Sequence, residues 1–137
     1  MTINEIENEI IEEFEIFGDD WEAKYEHLID LGKSLPKIKD ELKIDENIIK
    51  GCQSRVWLHA ESLNGRIAYT ADSDAIITKG MVALMIRVLS NQPANEIVNA
   101  DLGFIKRIGL MEHLSPTRAN GLVSMIKKMK EEAFKLN

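Results

Sequence analysis

Apolar and polar positions alternate at helical spacing through residues 1–17. Thr2 followed by Glu5 matches a capping box, in which the two residues satisfy free N–H groups of the first turn. Apolar residues then recur every three or four positions: Ile3, Ile6, Ile10, Phe14 and Phe17. This spacing predicts an amphipathic helix that Gly18 ends.

A second helix is predicted directly after Gly18. Asp19 and Glu22 indicate its N-terminal cap, and Gly32 indicates its end. The face that it is expected to bury carries large side chains: Trp21, Tyr25 and Leu28. From Leu35-Pro36 onward, mixed charges are typical of a surface connection, with room for one short helical turn.

The pattern changes to strand alternation after Glu46. Residues 47–50 form a short apolar run, and two sets of side chains alternate after it: Val56, Leu58 and Ala60 against Trp57, His59 and Glu61. Asn64-Gly65 is a strong signal for a two-residue hairpin turn, because both positions tolerate positive φ. Residues 66–71 are predicted to return as the partner strand. The result is a small antiparallel sheet of two or three strands.

Helical spacing returns for the remainder of the chain. Asp72-Ser73-Asp74 offers N-cap oxygens for a helix that reaches about Ser90. Gly80 inside this helix predicts the close approach of another backbone. Pro93 is placed in the first turn of a short helix, and Ser115-Pro116 caps the last helix. The apolar stripes of the first and last of these helices are Ile77, Met81, Leu84, Met85 and Val88, then Leu122, Ile126, Met129 and Ala133.

These elements define an α+β protein in which several helices pack on one small antiparallel sheet, because no strand–helix–strand alternation occurs. The 137 residues match the commonest size of one domain, so residues 1–137 are predicted to form a single domain. A composition of 45% hydrophobic and 29% charged residues excludes general disorder. No apolar run approaches the roughly 18 residues of a membrane span, and the acidic N-terminus is not typical of a targeting peptide. A cytoplasmic location is expected.

The net charge of −6 is unevenly distributed along the chain. Residues 1–50 carry a net charge of −9, and residues 104–137 carry +4. The acidic first part argues against nucleic-acid binding along the whole chain. Lys127, Lys128 and Lys130 have no interleaved aromatic residues for base stacking, so a solvated helix face is the favoured interpretation of these lysines.

The only cysteine of the chain has an unusual local sequence, Lys50-Gly51-Cys52-Gln53-Ser54-Arg55-Val56-Trp57. The pattern places Cys52 in a turn between two strands, where Gly51 allows backbone conformations closed to other residues. Positive charge from Lys50 and Arg55 would favour the thiolate if these side chains lie close to the sulfur. The competing hypothesis is that Cys52 is a small core hydrophobe.

A single cysteine limits the chemistry that the thiol can perform. No second cysteine can resolve an oxidised or sulfur-loaded Cys52 within the chain, which favours a carrier over a disulfide oxidoreductase. A cysteine hydrolase would need a histidine base, for which the candidates are His27, His59 and His113. These residues do not supply a structural zinc site, and the acidic cluster at 72–74 is weak evidence for calcium. No metal is expected.

Arg118 lies near the start of the last predicted helix, where its charge opposes the helix dipole. This unfavourable position points to another task for the side chain. Three interpretations stay open: an ion pair with Asp72 or Asp74, contact with a partner, and a solvated arginine.

Four motifs together resemble the SufE family. They are Gly-Cys-Gln-Ser-x-Val-Trp at 51–57, Ala-Asp-Ser-Asp-Ala at 71–75, Lys79-Gly80, and Leu-Ser-Pro-x-Arg-x-x-Gly-Leu at 114–122. They follow the family's order over nearly the whole chain, and their combination is specific. The resemblance implies a SufE-like α+β fold and a role as sulfur acceptor for iron–sulfur cluster assembly.

The resemblance implies two partners, a cysteine desulfurase of the SufS type and a scaffold complex resembling SufBCD. The desulfurase uses pyridoxal phosphate to strip sulfur from L-cysteine, and it keeps that sulfur as a persulfide. The SufE-like protein accepts the sulfur, stimulates the desulfurase and passes the sulfur on, so neither independent turnover nor a cofactor of its own is expected. CsdE-like relatives share these motifs, so the sequence does not identify the donor desulfurase. The oligomeric state is also open.

The resemblance also assigns roles to residues. Cys52 is the nucleophile and persulfide carrier, within an active-site loop formed by Gly51, Gln53, Ser54 and Arg55. A second set of residues has two possible roles, support of this loop or contact with the desulfurase. These residues are Asp72, Asp74 and Arg118. The alternative function is a non-catalytic binding or regulatory module in which Cys52 is structural.

Overall fold

Six α-helices and a three-stranded sheet form the chain in a computed structural model that describes residues 1–137. In chain order the elements are α1 (Ile3–Glu15), α2 (Trp21–Lys33), β1 (Val56–Leu63), β2 (Arg66–Ser73), α3 (Ile76–Leu89), β3 (Gln92–Pro93), α4 (Ala94–Val98), α5 (Phe104–Arg107) and α6 (Pro116–Leu136). Two single turns of 3-10 helix, Asp40–Leu42 and Asp45–Asn47, occupy the connection between α2 and β1. The α+β class is confirmed.

The sheet is antiparallel, with the strand order β1-β2-β3. Asn64 and Gly65 form the hairpin turn with φ values of 53° and 81°, as the sequence predicts. The third strand differs from the prediction, because it is β3 and not residues 47–50. In that segment only Ile48 forms a bridge, to Trp57, since a 3-10 turn ends at Asn47. Pro93 lies in this edge strand and precedes α4, where its missing N–H costs no central ladder bond.

Helix α3 is the centre of the core and packs against α1, α2, α6 and β2. Its side chains Leu84, Met85 and Val88 are completely buried. One face of the hairpin covers the same core with Val56, Leu58, Ile67, Tyr69 and Ala71. The Tyr69 hydroxyl donates to the carbonyl of Met129 at 2.6 Å, which ties the sheet to α6. The apolar stripes predicted for α3 and α6 therefore face inward.

Two glycines allow α2 and α3 to approach closely. A Cβ on Gly80 would overlap the carbonyl oxygen of Leu28 and lie 2.8 Å from its carbonyl carbon. A Cβ on Gly32 would lie 2.8 Å from the nitrogen of Gly80. The close approach predicted at Gly80 is confirmed. The prediction that Gly32 ends α2 is wrong, because α2 continues to Lys33 and Gly32 is needed for packing.

The helix caps are partly as predicted. The capping box of Thr2 and Glu5 is present, and Ser115 accepts from the N–H of Arg118 at the start of α6. Asp20, not Asp19, caps α2 by accepting from Ala23 at 3.1 Å. No helix of the chain is long and apolar enough to span a membrane.

Candidate functional site

Cys52 lies in a short loop between the buried Ile49 and the start of β1. The N–H of Ile49 donates to the carbonyl of Val56 at 2.8 Å and closes the base of this loop. Gly51 has a φ of +95°, a backbone conformation that L side chains rarely adopt, so glycine is required for this turn. The turn leaves the Cys52 side chain only partly exposed and directs it toward α6.

Two residues of α6, one helical turn apart, form the surface that the loop contacts. The Cys52 thiol donates to the carbonyl of Gly121, with Sγ and O 3.5 Å apart. A Cβ on Gly121 would lie 3.6 Å from that sulfur, an ordinary van der Waals distance, so the thiol lies close to the main chain of α6. At Gly51 a Cβ would overlap the hydroxyl of Ser124. The small residues of α6 therefore fix the resting position of the cysteine.

The thiol borders a cavity of about 370 Å³ between the loop, α3 and α6. Three of the residues predicted for the site share this cavity with Cys52: Gln53, Ser54 and Arg118. The residues that the sequence analysis did not select are Ala75, Thr78, Met81, Ser115, Thr117, Gly121 and Met125. Of these, Ser115 and Gly121 stand inside the quoted motif at 114–122, and Met125 follows Gly121 at helical spacing. This motif and the helical spacing were the features of the sequence that indicated which α6 residues line the cavity.

The electrostatic environment of the thiol differs from the expectation. Partial burial raises the pKa of Cys52, because desolvation disfavours the thiolate. Neither Lys50 nor Arg55 lines the cavity, and neither lowers that pKa. Both side chains extend into solvent, so the idea that they activate the thiol is wrong for this resting geometry. The resting cysteine is a neutral thiol at neutral pH.

The acidic motif at the end of β2, residues 72–74, holds the far end of the cysteine loop. Asp74 Oδ1 accepts from the N–H of Arg55 at 3.0 Å, and the Asp74 N–H donates to the carbonyl of Arg55 at 3.2 Å. The Ser73 hydroxyl donates to the same carbonyl at 2.8 Å. The predicted capping of α3 by this motif is wrong, since its N-cap is Ala75 without a side-chain bond. Asp74 Oδ1 and the Ser73 hydroxyl are already engaged with the main chain of Arg55 in the loop.

Asp72 belongs to a separate ion-pair cluster beside the loop. Its carboxylate lies 2.8 Å from Lys43 Nζ and 3.3 Å from Lys79 Nζ. Partial burial acts to raise the pKa of Asp72, but hydrogen bonds from Lys43, the N–H of Ser73 and Lys79 outweigh burial and lower it. The Lys43 ammonium also lies 5.3 Å from the ring centroid of Trp57, so the cluster braces the beginning of β1.

Arg118 pairs with neither Asp72 nor Asp74, which removes one of its three predicted interpretations. Its side chain is exposed at the rim of the cavity and has no hydrogen bond or ion pair within the chain. Arg118 is also the only ionisable residue besides Cys52 that lines the cavity. Its guanidinium is available to a group that enters this space.

The three histidines lie outside the cysteine cavity. His27 contacts Glu13 at 3.1 Å, and His113 stacks on Trp21 with ring centroids 3.9 Å apart. His59 stands in the middle of β1, opposite Thr70. No imidazole is placed beside Cys52, so the geometry does not support the cysteine-hydrolase hypothesis.

The raised pKa predicts slow alkylation of native Cys52 at neutral pH. Because the thiolate is the reacting form, the rate with iodoacetamide should reach half its maximum at a higher pH than in the unfolded chain. The measurement is a pH series on the native protein and on the same protein in urea. A native midpoint at or below the unfolded one would contradict the burial argument. A cysteine that reacts only in urea would favour a structural role.

Fold and site define an α+β protein that presents one cysteine, on a glycine-dependent turn, to a small cavity. The family model described as "SufE: Fe-S metabolism associated domain" matches residues 8–133. A SufE-like protein of Rhizobium etli is 42% identical over 131 residues, covering 92% of this chain and 88% of the relative. The Rhizobium meliloti counterpart is also 42% identical, with 92% and 93% covered. The chain belongs to the SufE family.

Two further matches extend this result. SufE-like protein 1 of Arabidopsis thaliana, described as chloroplastic/mitochondrial, is 42% identical over 117 residues, which are 83% of this chain but 31% of the longer plant protein. A solution structure of a Thermus thermophilus protein superimposes with a TM-score of 0.79 at 18% identity, over 96% of this chain and 95% of the other. That structure supports the fold, and the family associates the chain with iron–sulfur metabolism.

Proposed function

We propose that this protein is a sulfur acceptor that takes persulfide sulfur from a SufS-type cysteine desulfurase onto Cys52. It stimulates the desulfurase and passes the sulfur to a SufBCD-type scaffold for iron–sulfur cluster assembly, and we place this activity in the cytoplasm. The observation that carries the proposal is the position of the only cysteine, on a turn beside a cavity of about 370 Å³. Membership of a family associated with iron–sulfur metabolism supports it.

The chemistry of the transfer requires only two thiols and one sulfur atom. The Cys52 thiolate attacks the outer sulfur of the donor persulfide, forms a new S–S bond and releases the donor cysteine as a thiolate. The proton of Cys52 balances the proton that the donor thiolate takes up, and no external oxidant is consumed. Since the chain has no second cysteine, the sulfur leaves only by transfer to another molecule or by reduction.

The resting geometry fits a carrier that is protected between partners. Burial raises the pKa of Cys52, and its thiol donates a hydrogen bond to the Gly121 carbonyl, so the free protein holds a poorly reactive thiol. Because Sγ is only partly exposed and is directed toward α6, we propose that the loop moves away from α6 when a donor persulfide on another protein approaches. We propose that docking of the desulfurase supplies this movement, with Arg118 at the rim contacting the partner. Pyridoxal phosphate remains in the desulfurase.

The two acidic residues take different parts in this proposal. Asp74 supports the loop, because it bonds both main-chain groups of Arg55. Asp72 acts through its ion pairs with Lys43 and Lys79, which hold the beginning of β1 below the loop. Gln53 and Ser54 line the cavity beside the thiol, where we propose that they shape the loop or contact the desulfurase.

The proposal is tested by the turnover of the desulfurase. Removal of sulfur from L-cysteine leaves alanine, so alanine release is measured with a purified SufS-type enzyme, without reductant, with and without this protein. We expect a higher rate in its presence, because acceptance of sulfur regenerates the desulfurase cysteine. An unchanged rate across a range of concentrations would contradict the proposed function.

A further inference from the structure

Thr78 is a buried polar residue of the cysteine cavity. It lies in the first turn of α3, its side chain is 7% exposed, and it lines the cavity together with Cys52. Its hydroxyl has no hydrogen-bond partner within the chain. Every side-chain N or O atom that is fully enclosed does have such a partner. The hydroxyl therefore borders open space, and the open space that Thr78 lines is the cavity.

The same cavity receives the positive ends of two helices. Ala75, the N-cap of α3, lines it, and this helix end carries no side-chain cap, so N–H groups of its first turn lack a side-chain acceptor. The first residues of α6 border the opposite side through Thr117 and Arg118. No carboxylate lines the cavity. Two helix N-termini, a guanidinium and a buried hydroxyl together favour a negative charge in this space.

We propose that Thr78 hydrogen-bonds the outer sulfur of a Cys52 persulfide and holds that sulfur as an anion inside the cavity. This inference rests on the proposed function, because it concerns the loaded form of the same cysteine. A hydropersulfide is a stronger acid than its parent thiol, so the outer sulfur carries the charge. Cys52 and Thr78 line the same cavity, and an outer sulfur extends the reach of Cys52 within it by one S–S bond, about 2.05 Å.

Holding the anion has a chemical consequence for the carrier. A thiolate attacks a neutral hydropersulfide more readily than an anionic one, because like charges repel. A hydrogen bond to the charged form lowers the pKa of the outer sulfur and so reduces the neutral fraction. Thr78 therefore protects the sulfur from cellular thiols until a partner displaces the loop. Met81 and Met125 contribute apolar side chains to the lining of the same cavity.

The test compares the acidity of the persulfide in matched variants. Cys52 is loaded with glutathione hydropersulfide, which makes loading independent of any desulfurase, and alkylation of the loaded protein by iodoacetamide is followed against pH by intact mass. Because the chain has one cysteine, the loaded site is unambiguous. We expect Thr78→Val to raise the persulfide pKa by about one unit, which corresponds to about a tenfold change in the ionisation equilibrium.

Two controls isolate the hydroxyl. Thr70→Val removes the same group from an exposed position on β2 and should leave the pKa unchanged. Thr78→Ser and Thr78→Ala differ by the hydroxyl alone, so only the serine variant should retain the wild-type persulfide pKa. This pair replaces Thr78→Val if the valine variant does not fold. An unchanged pKa in Thr78→Val or Thr78→Ala overturns the inference and leaves the proposed function intact. Chemical loading that succeeds where the desulfurase fails contradicts the proposed function instead.

Discussion

Replacement of Cys52 by serine should reduce alanine release by the desulfurase to the rate without this protein. A serine hydroxyl cannot form a persulfide, and the chain offers no second thiol to replace it. The whole stimulation therefore depends on one sulfur atom. The measurement is initial-rate alanine release at saturating L-cysteine without reductant, with the wild type and the variant at equal concentrations.

The loss must arise from chemistry and not from unfolding. A serine hydroxyl can donate to the Gly121 carbonyl as the thiol does, and the site is only partly buried, so we expect the unfolding free energy to change by less than about 1 kcal/mol. Ser62→Ala is a matched control, because it changes a small side chain at the exposed end of β1, outside the cavity, and keeps the thiol. Full stimulation by Cys52→Ser would exclude a persulfide carrier.

Gly80→Ala should cause the largest loss of stability among single methyl additions. The new methyl group would meet the carbonyl of Leu28, which is main chain and cannot rotate away. Helices α2 and α3 would have to separate, and because α3 is the centre of the core, this separation disturbs packing on several sides. Overpacking of this kind costs up to about 3 kcal/mol, so urea denaturation should show a much lower midpoint at an unchanged slope.

Gly103→Ala provides the comparison for this change. Gly103 has a φ of −61°, and a Cβ there would have no atom within 4 Å. The expected change in unfolding free energy is within about 0.5 kcal/mol. Equal losses in the two variants would show that the α2–α3 contact is not as tight as described.

Local signals in the sequence predicted most of the fold. The capping box at Thr2 and Glu5 and the turn at Asn64-Gly65 each involve residues within one turn of the chain, so their geometry follows from neighbouring residue types. The apolar stripe of α6 was correct for the same reason, since helical spacing alone decides which side chains share a face.

Long-range contacts decided the features that the sequence did not predict. Asp74 has the side chain of a helix cap, but the main chain of Arg55 competes for it and binds it. Gly32 has the appearance of a helix end, but the backbone of Gly80 requires its lack of a side chain. The strand β3 pairs at only two positions of β2, a contact too short to leave a pattern.

For the candidate site too, the local sequence indicated one part and long-range packing decided the rest. The motif at 51–57 identified Cys52 and its loop, because the glycine and the thiol are adjacent in sequence. The cavity depends on the approach of α3 and α6, so Thr78 became recognisable only when the helices were placed, whereas Gly121 stands inside the motif at 114–122. Positive charge near Cys52 in sequence proved uninformative, because Lys50 and Arg55 point into solvent.

The sharpest test of sulfur transfer to Cys52 is the intact mass of the protein after incubation with a SufS-type desulfurase and L-cysteine, without reductant. We predict that the wild type gains the mass of one sulfur atom, that added thiol reductant removes it, and that Cys52→Ser gains nothing. A wild-type protein that gains no sulfur, from a desulfurase of the same organism with demonstrated activity on L-cysteine, would contradict the claim that Cys52 is a sulfur acceptor.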